Sequence, residues 1–230
     1  MGYIMPDTFA RFCYQLKVEM PKVFIETGAA KGGIPHHILD RNNSKLDDRF
    51  DTYHTIELDT HICAIADWRF KLFEEYGSDI TQDQVHTNDI DSGFQWPGYG
   101  TYFDGRLNLY EGDSAEKMKE ILADINEPCC FWLDAHAGTG EYARGEDDVP
   151  LFRELEVIKN HHIKTHVIAI DDIHLFGLQQ IDKEGRLVCD YTNITYAKVH
   201  DKIKEINNNY DIGAYAPYHM QMLMACVIGE

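Results

Sequence analysis

Apolar positions fall along the chain in two alternating rhythms. Short segments that read as strands, apolar throughout at 129–133 and mostly so elsewhere, recur at 22–26, 53–57, 107–110, 129–133 and 166–170. Between them, apolar residues recur at helical spacing. One set is Ile62, Ile65, Ala66, Phe70 and Phe73; a second is Met118, Ile121, Leu122 and Ile125; a third is Leu151, Leu155 and Ile158. Runs of the first kind suit strands covered on both faces, and those of the second suit helices with one apolar stripe. Their alternation predicts an α/β domain, a parallel sheet with helices on both faces. A further helix is predicted over 34–41, with Pro35 in its first turn, where a missing N–H costs nothing. Thr60 and Ser114 stand where helices need caps, Gly77 where one stops, and Pro150 where one starts.

The tail breaks the rhythm. A helix at about 193–207 precedes two apolar segments, 212–215 and 221–228, joined by a short connection containing Pro217. They read as a terminal hairpin, which makes one strand antiparallel to the rest. Residues 78–105, rich in Gly, Asp, Asn, Gln and Ser, read as an irregular insertion of the kind that forms lids or binding elements. Its Phe94, Trp96, Tyr99, Tyr102 and Phe103 suit packing back onto the domain, and also stacking on a ligand or a second protomer, so a homo-oligomer stays open. The whole chain, 1–230, reads as a single domain carrying that insertion.

Charge narrows the function. The chain has 21 Lys+Arg against 39 Asp+Glu, a net charge of −18. Binding to phosphate backbones or anionic lipid needs clustered basic residues, so neither a nucleic acid nor a membrane surface is an expected partner. No apolar run is long enough to span a bilayer. The N-terminus lacks the basic start and apolar stretch of a secretory signal, and Met1-Gly2 alone is a weak acylation cue. The six Cys, at 13, 63, 129, 130, 189 and 226, show neither CxxC nor zinc spacing. They read as buried free thiols of a cytoplasmic protein.

Three motifs follow successive strands. Glu26-Thr27-Gly28-Ala29-Ala30-Lys31-Gly32-Gly33 links the first strand to a helix, and its glycines permit a tight turn and close approach to a ligand. It lacks the GxxxxGK[ST] of a phosphate-binding loop. Glu57, ending the second strand in TIELD, can accept hydrogen bonds from ribose hydroxyls. It lies 31 residues after Glu26, beyond the usual dinucleotide spacing of about 20. Asp113, in Glu111-Gly112-Asp113-Ser114, can accept from a purine amine, while Ser114 equally suits a helix cap. Ligands of open α/β sheets sit at the carboxyl ends of the strands, so the three motifs share one rim.

ETGAAKGG, TIELD and YEGDS resemble the first three motifs of class I S-adenosylmethionine-dependent methyltransferases over about residues 20–230. Ala30 replaces the middle glycine of the family pattern. The resemblance implies a Rossmann-like, seven-stranded, mostly parallel sheet. It implies that Glu26 and the backbone of Thr27, Gly28, Ala29, Ala30 and Gly32 hold the methionine part of S-adenosylmethionine. Glu57 would hold the ribose, and Asp113 with Ser114 the adenine.

Two further strand ends carry Asp134-Ala135-His136 and Asp171-Asp172-Ile173-His174. Converging carboxylates repel unless a cation neutralises them, and oxygen ligands suit Mg²⁺, with Mn²⁺ or Ca²⁺ as alternatives. The arrangement resembles the Mg²⁺-dependent O-methyltransferases of the macrocin O-methyltransferase-like group. That implies Asp134, Asp171 and Asp172 as metal ligands, with His136 standing where the group has a second Asp. The implied activity is methyl transfer to a hydroxyl of a small molecule or sugar, with Asp134 and His136 at the reacting centre and His136 as base. In the loop 137–148, Tyr142 and Arg144 are placed to touch the acceptor. The competing readings are an NAD-dependent oxidoreductase and a non-catalytic module binding a nucleoside or a partner protein.

Overall fold

A computed structural model describes residues 6–30, 39–40, 45–46, 48–76, 97–138, 143–215 and 222–228. Twelve strands are present among them: β1 (Val23–Thr27), β2 (Leu39–Asp40), β3 (Lys45–Leu46), β4 (Thr52–Glu57), β5 (Tyr99–Tyr102), β6 (Leu107–Glu111), β7 (Cys129–Leu133), β8 (Val167–Ile170), β9 (Gln179–Ile181), β10 (Leu187–Asp190), β11 (Tyr210–Tyr215) and β12 (Met222–Val227). The helices are α1 (Pro6–Leu16), α2 (Thr60–Tyr76), α3 (Ser114–Leu122), α4 (Leu151–Asn160) and α5 (Tyr196–Ile206).

Eight strands form one sheet in the order β11-β12-β8-β7-β1-β4-β6-β5. The ladders β8-β7, β7-β1, β1-β4 and β4-β6 are parallel. The terminal hairpin is present as predicted: β12 runs antiparallel to both β8 and β11. Side chains alternate across this sheet and build two cores. Phe24 and Trp132 join Phe9, Phe50 and Phe70 on the face of α1 and α2. Ile25 and Phe131 join Met118, Leu155 and Ile203 on the face of α3, α4 and α5. That period-two switch explains why β7 and β8 are apolar at every position, with a core on each face of the sheet.

Several expectations are corrected. The sheet has eight strands rather than seven, because part of the expected insertion pairs as β5 along the free edge of β6. Tyr102 is the reason: its ring packs edge-on to Phe70 at 5.0 Å and its hydroxyl donates to Asp67 at 2.6 Å, pinning the segment to α2. Residues 78–96 lie outside the described ones. Leu39 and Asp40, expected at the end of a helix, instead pair with Leu46 and Lys45. The cap of α2 is Asp59, not Thr60, since its Oδ1 accepts from the N–H groups of His61 and Ile62 at 2.9 and 3.0 Å. The cap of α3 is Asp113, whose carboxylate accepts from Glu116 N–H. A carboxylate reaches the free amides and complements the helix dipole, which a hydroxyl does less well. Pro150 does precede α4. Two elements had no sequence expectation. Helix α1 buries Phe9, Phe12 and Cys13 at i, i+3 and i+4 spacing, and the β9–β10 ribbon follows β8. All six cysteines are buried and free, and no described helix is long and apolar enough to cross a membrane.

Candidate functional site

Each parallel strand ends on the same rim, and the turns there hold the predicted residues. After β1, Gly28 adopts φ +80°, and a Cβ on it would lie 2.5 Å from the Asp134 carbonyl oxygen. Glycine is therefore required by the neighbouring strand end as well as by any ligand. Gly28 and Ala29 both donate N–H to Ile56 O at 3.0 Å. Ala30 has φ +48° and donates its N–H to Glu57 Oε2 at 2.8 Å. Glu57 Oε1 accepts from Asp59 N–H at 3.0 Å. One carboxylate thus ties the turns after β1 and β4 together. Burial raises the Glu57 pKa, and those amides partly offset the shift.

These turns bound a cavity of about 480 Å³. Gly28, Ala30, Glu57, Asp113, Ser114, Asp134 and His136 all line it. Glu26, Thr27 and Ala29 lie one layer behind, fully or almost fully buried. Glu26 is 4% exposed and accepts from Thr55 Oγ1 at 2.6 Å; burial pushes its carboxyl up to about 8, against the pull of that hydrogen bond. Lys31, Gly32, Gly33 and Tyr142 lie outside the described residues.

Asp113 is already engaged. Arg153 donates to both of its oxygens, at 2.8 and 3.0 Å. Burial acts to raise its pKa, but the guanidinium and the Glu116 amide outweigh it and hold the carboxyl below the usual range. Next to it, Glu154 is 1% exposed, and burial raises its carboxyl to about 7 beside the hydroxyls of Ser114 and Thr27. Sequence reading missed both Arg153 and Glu154. A signal was present: Glu154 sits at i+3 from Leu151, inside the buried stripe of α4, where an unpaired carboxylate is costly.

The acidic strand ends converge in part. His136 Nε2 lies 3.9 Å from Asp134 Oδ1 and 3.6 Å from Asp172 Oδ2. Among the described residues, Asp134, His136 and Asp172 bring three ligand atoms within 4.8 Å of one another. Asp171 is not in that set; it is 7% exposed and its amide continues the ladder to Leu133 O. Burial, together with the charges of Asp171, Asp172 and Glu26, raises the Asp134 pKa well above the carboxylate range. A cation would relieve that repulsion, so the donor set fits a divalent metal. His174 is half-exposed, 3.8 Å from Asp172, and outside the cluster.

Residues 143–148 form a strap, and Ala143, Gly145, Asp147 and Asp148 of it line the cavity. Ala143 N–H donates to Asp59 Oδ2 at 2.7 Å, and Arg144 donates to Asp148 at 2.9 Å and to Val188 O at 2.6 Å. Asp148 Oδ2 in turn accepts from Asp190 N–H at 3.1 Å. The strap and the β9–β10 ribbon therefore hold each other. Arg144, expected to reach an acceptor molecule, spends its guanidinium on this joint.

No protein-family profile and no curated protein matches the chain. Solved structures do. A protein of Staphylococcus aureus, provisionally named a caffeoyl-CoA O-methyltransferase, superimposes with a TM-score of 0.50 at 10% identity, covering 98% of this chain and 85% of that one. An O-methyltransferase of Bacillus cereus, solved in complex with SAH, gives 0.47 at 12% identity, over 98% and 82%. A provisionally named O-methyltransferase of Klebsiella pneumoniae gives 0.47 at 13%, over 99% and 83%. At such identities the likeness concerns architecture: the chain has the Rossmann-like class I methyltransferase fold.

Proposed function

We propose that the protein is an S-adenosylmethionine-dependent methyltransferase that methylates a hydroxyl of a small molecule or sugar with help from a divalent metal. The observation that carries this is the charge of the cavity at the strand ends. Among the described residues its lining holds five carboxyl groups (Glu57, Asp113, Asp134, Asp147 and Asp148) and one guanidinium, that of Arg69. Arg153 and Arg144 pair with Asp113 and Asp148, and burial raises Glu57 and Asp134 toward the neutral form, a shift that a bound cation would reverse. S-adenosylmethionine brings a sulfonium and an ammonium, which such walls attract. NAD brings a pyrophosphate, which they repel. This disfavours the oxidoreductase reading.

Within that reading, each carboxylate oxygen of Glu57 retains a lone pair beyond its backbone bond and can receive a ribose hydroxyl. The turn at Gly28–Ala30 lets backbone approach the methionine part. Asp113 keeps its acceptor capacity only on the side away from Arg153, so its contact with the adenine is narrowed to one direction. Asp134, His136 and Asp172 would hold the metal; when bound, it lowers the pKa of a coordinated hydroxyl. The chain's own task is then to orient the acceptor beside the methyl group and exclude water, which supplies much of the rate in a transfer of this kind.

Calorimetry separates the readings. S-adenosylhomocysteine binds and NAD does not, and Glu57→Ala weakens that binding by about 1–3 kcal/mol, the scale of a hydrogen bond to a charged group. Tight NAD binding with no S-adenosylhomocysteine binding overturns the proposal.

A further inference from the structure

The geometry points to His136 as a metal ligand rather than a free base, in a site of two carboxylates and one imidazole that favours a first-row transition ion such as Fe²⁺, Co²⁺ or, less strongly, Mn²⁺ over Mg²⁺. The inference rests on the metal-assisted reading above and specifies the ion and the histidine's part in holding it.

The argument begins at the other ring nitrogen. His136 Nδ1 lies 2.9 Å from the Ala137 carbonyl oxygen. A carbonyl only accepts, so Nδ1 carries the hydrogen in that contact. In the neutral ring the lone pair is then on Nε2, the atom that faces Asp134 and Asp172. Metal-bound histidines are held in this way, one nitrogen donating to a backbone carbonyl while the other ligates. The spacings support it. At 3.6 and 3.9 Å, Nε2 is too far from either carboxylate for a good hydrogen bond. Two ligand atoms each about 2.1 Å from one ion lie up to about 4.2 Å apart, so both spacings fall within reach of a shared ion. The ligand atoms of Asp134 and Asp172 lie within 4.8 Å of each other, so a shared ion asks for at most a small movement of the partly exposed Asp172 side chain.

The choice of ion follows from ligand chemistry. Mg²⁺ takes oxygen ligands and keeps its waters, whereas imidazole suits the first-row transition ions. All N/O sites bind those ions more strongly than Mg²⁺, so the discriminating quantity is how the preference changes when the nitrogen is replaced by oxygen. His136→Asp makes that replacement while keeping a side chain that can ligate.

The test uses the full chain stripped of metal, titrated calorimetrically with MnCl₂ and with MgCl₂ in the absence of any methyl donor. His136→Asp is expected to lower the preference for Mn²⁺ over Mg²⁺ by about tenfold or more, through weaker Mn²⁺ binding, tighter Mg²⁺ binding, or both. Bound Mn²⁺ in the wild type is expected to show nitrogen modulation in its electron spin echo, absent in the variant. A preference unchanged within about threefold, no nitrogen coupling, or no metal binding by folded wild-type protein overturns the inference. S-adenosylhomocysteine titrated into the same samples tests the methyltransferase reading separately, since it needs no metal ligand. Circular dichroism shows whether the variant is folded; if it is not, the spin-echo measurement on wild type decides.

Discussion

Single residues at the rim do two jobs at once. Gly28 looks from its motif like a place where a ligand comes close, yet the Asp134 carbonyl already occupies the space of a Cβ. Gly28→Ala must therefore push β1 and β7 apart at their ends and hold a non-glycine residue at φ +80°. It is expected to destabilise the protein by about 2–4 kcal/mol in urea denaturation, more than a typical surface change. A shift under about 0.5 kcal/mol means that the turn relaxes and that glycine serves only ligand approach. Glu57 is similarly double, organising two turns through Ala30 and Asp59 while facing the cavity. Motif spacing places such residues at strand ends. It does not reveal what they touch, because the contacts come from strands far apart in sequence.

At the scale of elements, the amino-terminal ends of β7 and β8 are tied by a histidine relay. Cys129 N–H donates to His166 Nδ1 at 3.0 Å, His166 Nε2 lies 3.1 Å from His161 Nδ1, and His161 Nε2 lies 2.9 Å from Ile125 O. Since Nδ1 of His166 accepts, the chain of donors runs from Cys129 through both rings to Ile125, and both rings are neutral. Burial lowers the pKa of His166 to about 3, with the neighbouring His161 adding to the shift, and burial lowers that of His161 too. The folded pKa lies below the unfolded value near 6.5, so the unfolded chain binds more protons in between. The stabilisation is full above about pH 6.5 and is lost as pH falls towards 3. Between pH 7 and 5 this amounts to about 2 kcal/mol for His166. His166→Gln, which keeps an acceptor for Cys129, is expected to flatten the pH dependence of urea unfolding by about that amount; equal slopes in both proteins refute the relay's role. The element pattern itself was largely legible. All five central strands, α2 to α5 and the terminal hairpin follow from burial periodicity, which is a local property. The edge strand β5 was not, because its glycine and exposed positions mimic a loop and only pairing with β6 fixes it.

Across the whole molecule, −18 is too large a charge for local pairing to cancel. Many basic side chains are spent in neighbouring pairs, such as Arg186 with Asp182 and Lys159 and Lys202 with Glu205. Self-repulsion remains, and screening reduces it. Raising NaCl from about 20 to about 200 mM is expected to increase stability by about 1 kcal/mol in urea denaturation, and a decrease would mean that surface ion pairs outweigh the repulsion.

The sequence by itself determined the alternation of strands and helices and the placing of acidic residues at strand ends, because both depend on which positions must be buried. The tertiary structure decided how those residues group. Asp113 turned to Arg153 of α4, forty positions away. Asp171 continues the β8 ladder and stays buried, while Asp172, at φ +56°, leaves it and faces His136. The left-handed backbone at Asp172, not the alternation of an extended strand, turns its carboxylate to His136, and spacing along the sequence does not show where the chain leaves the extended conformation.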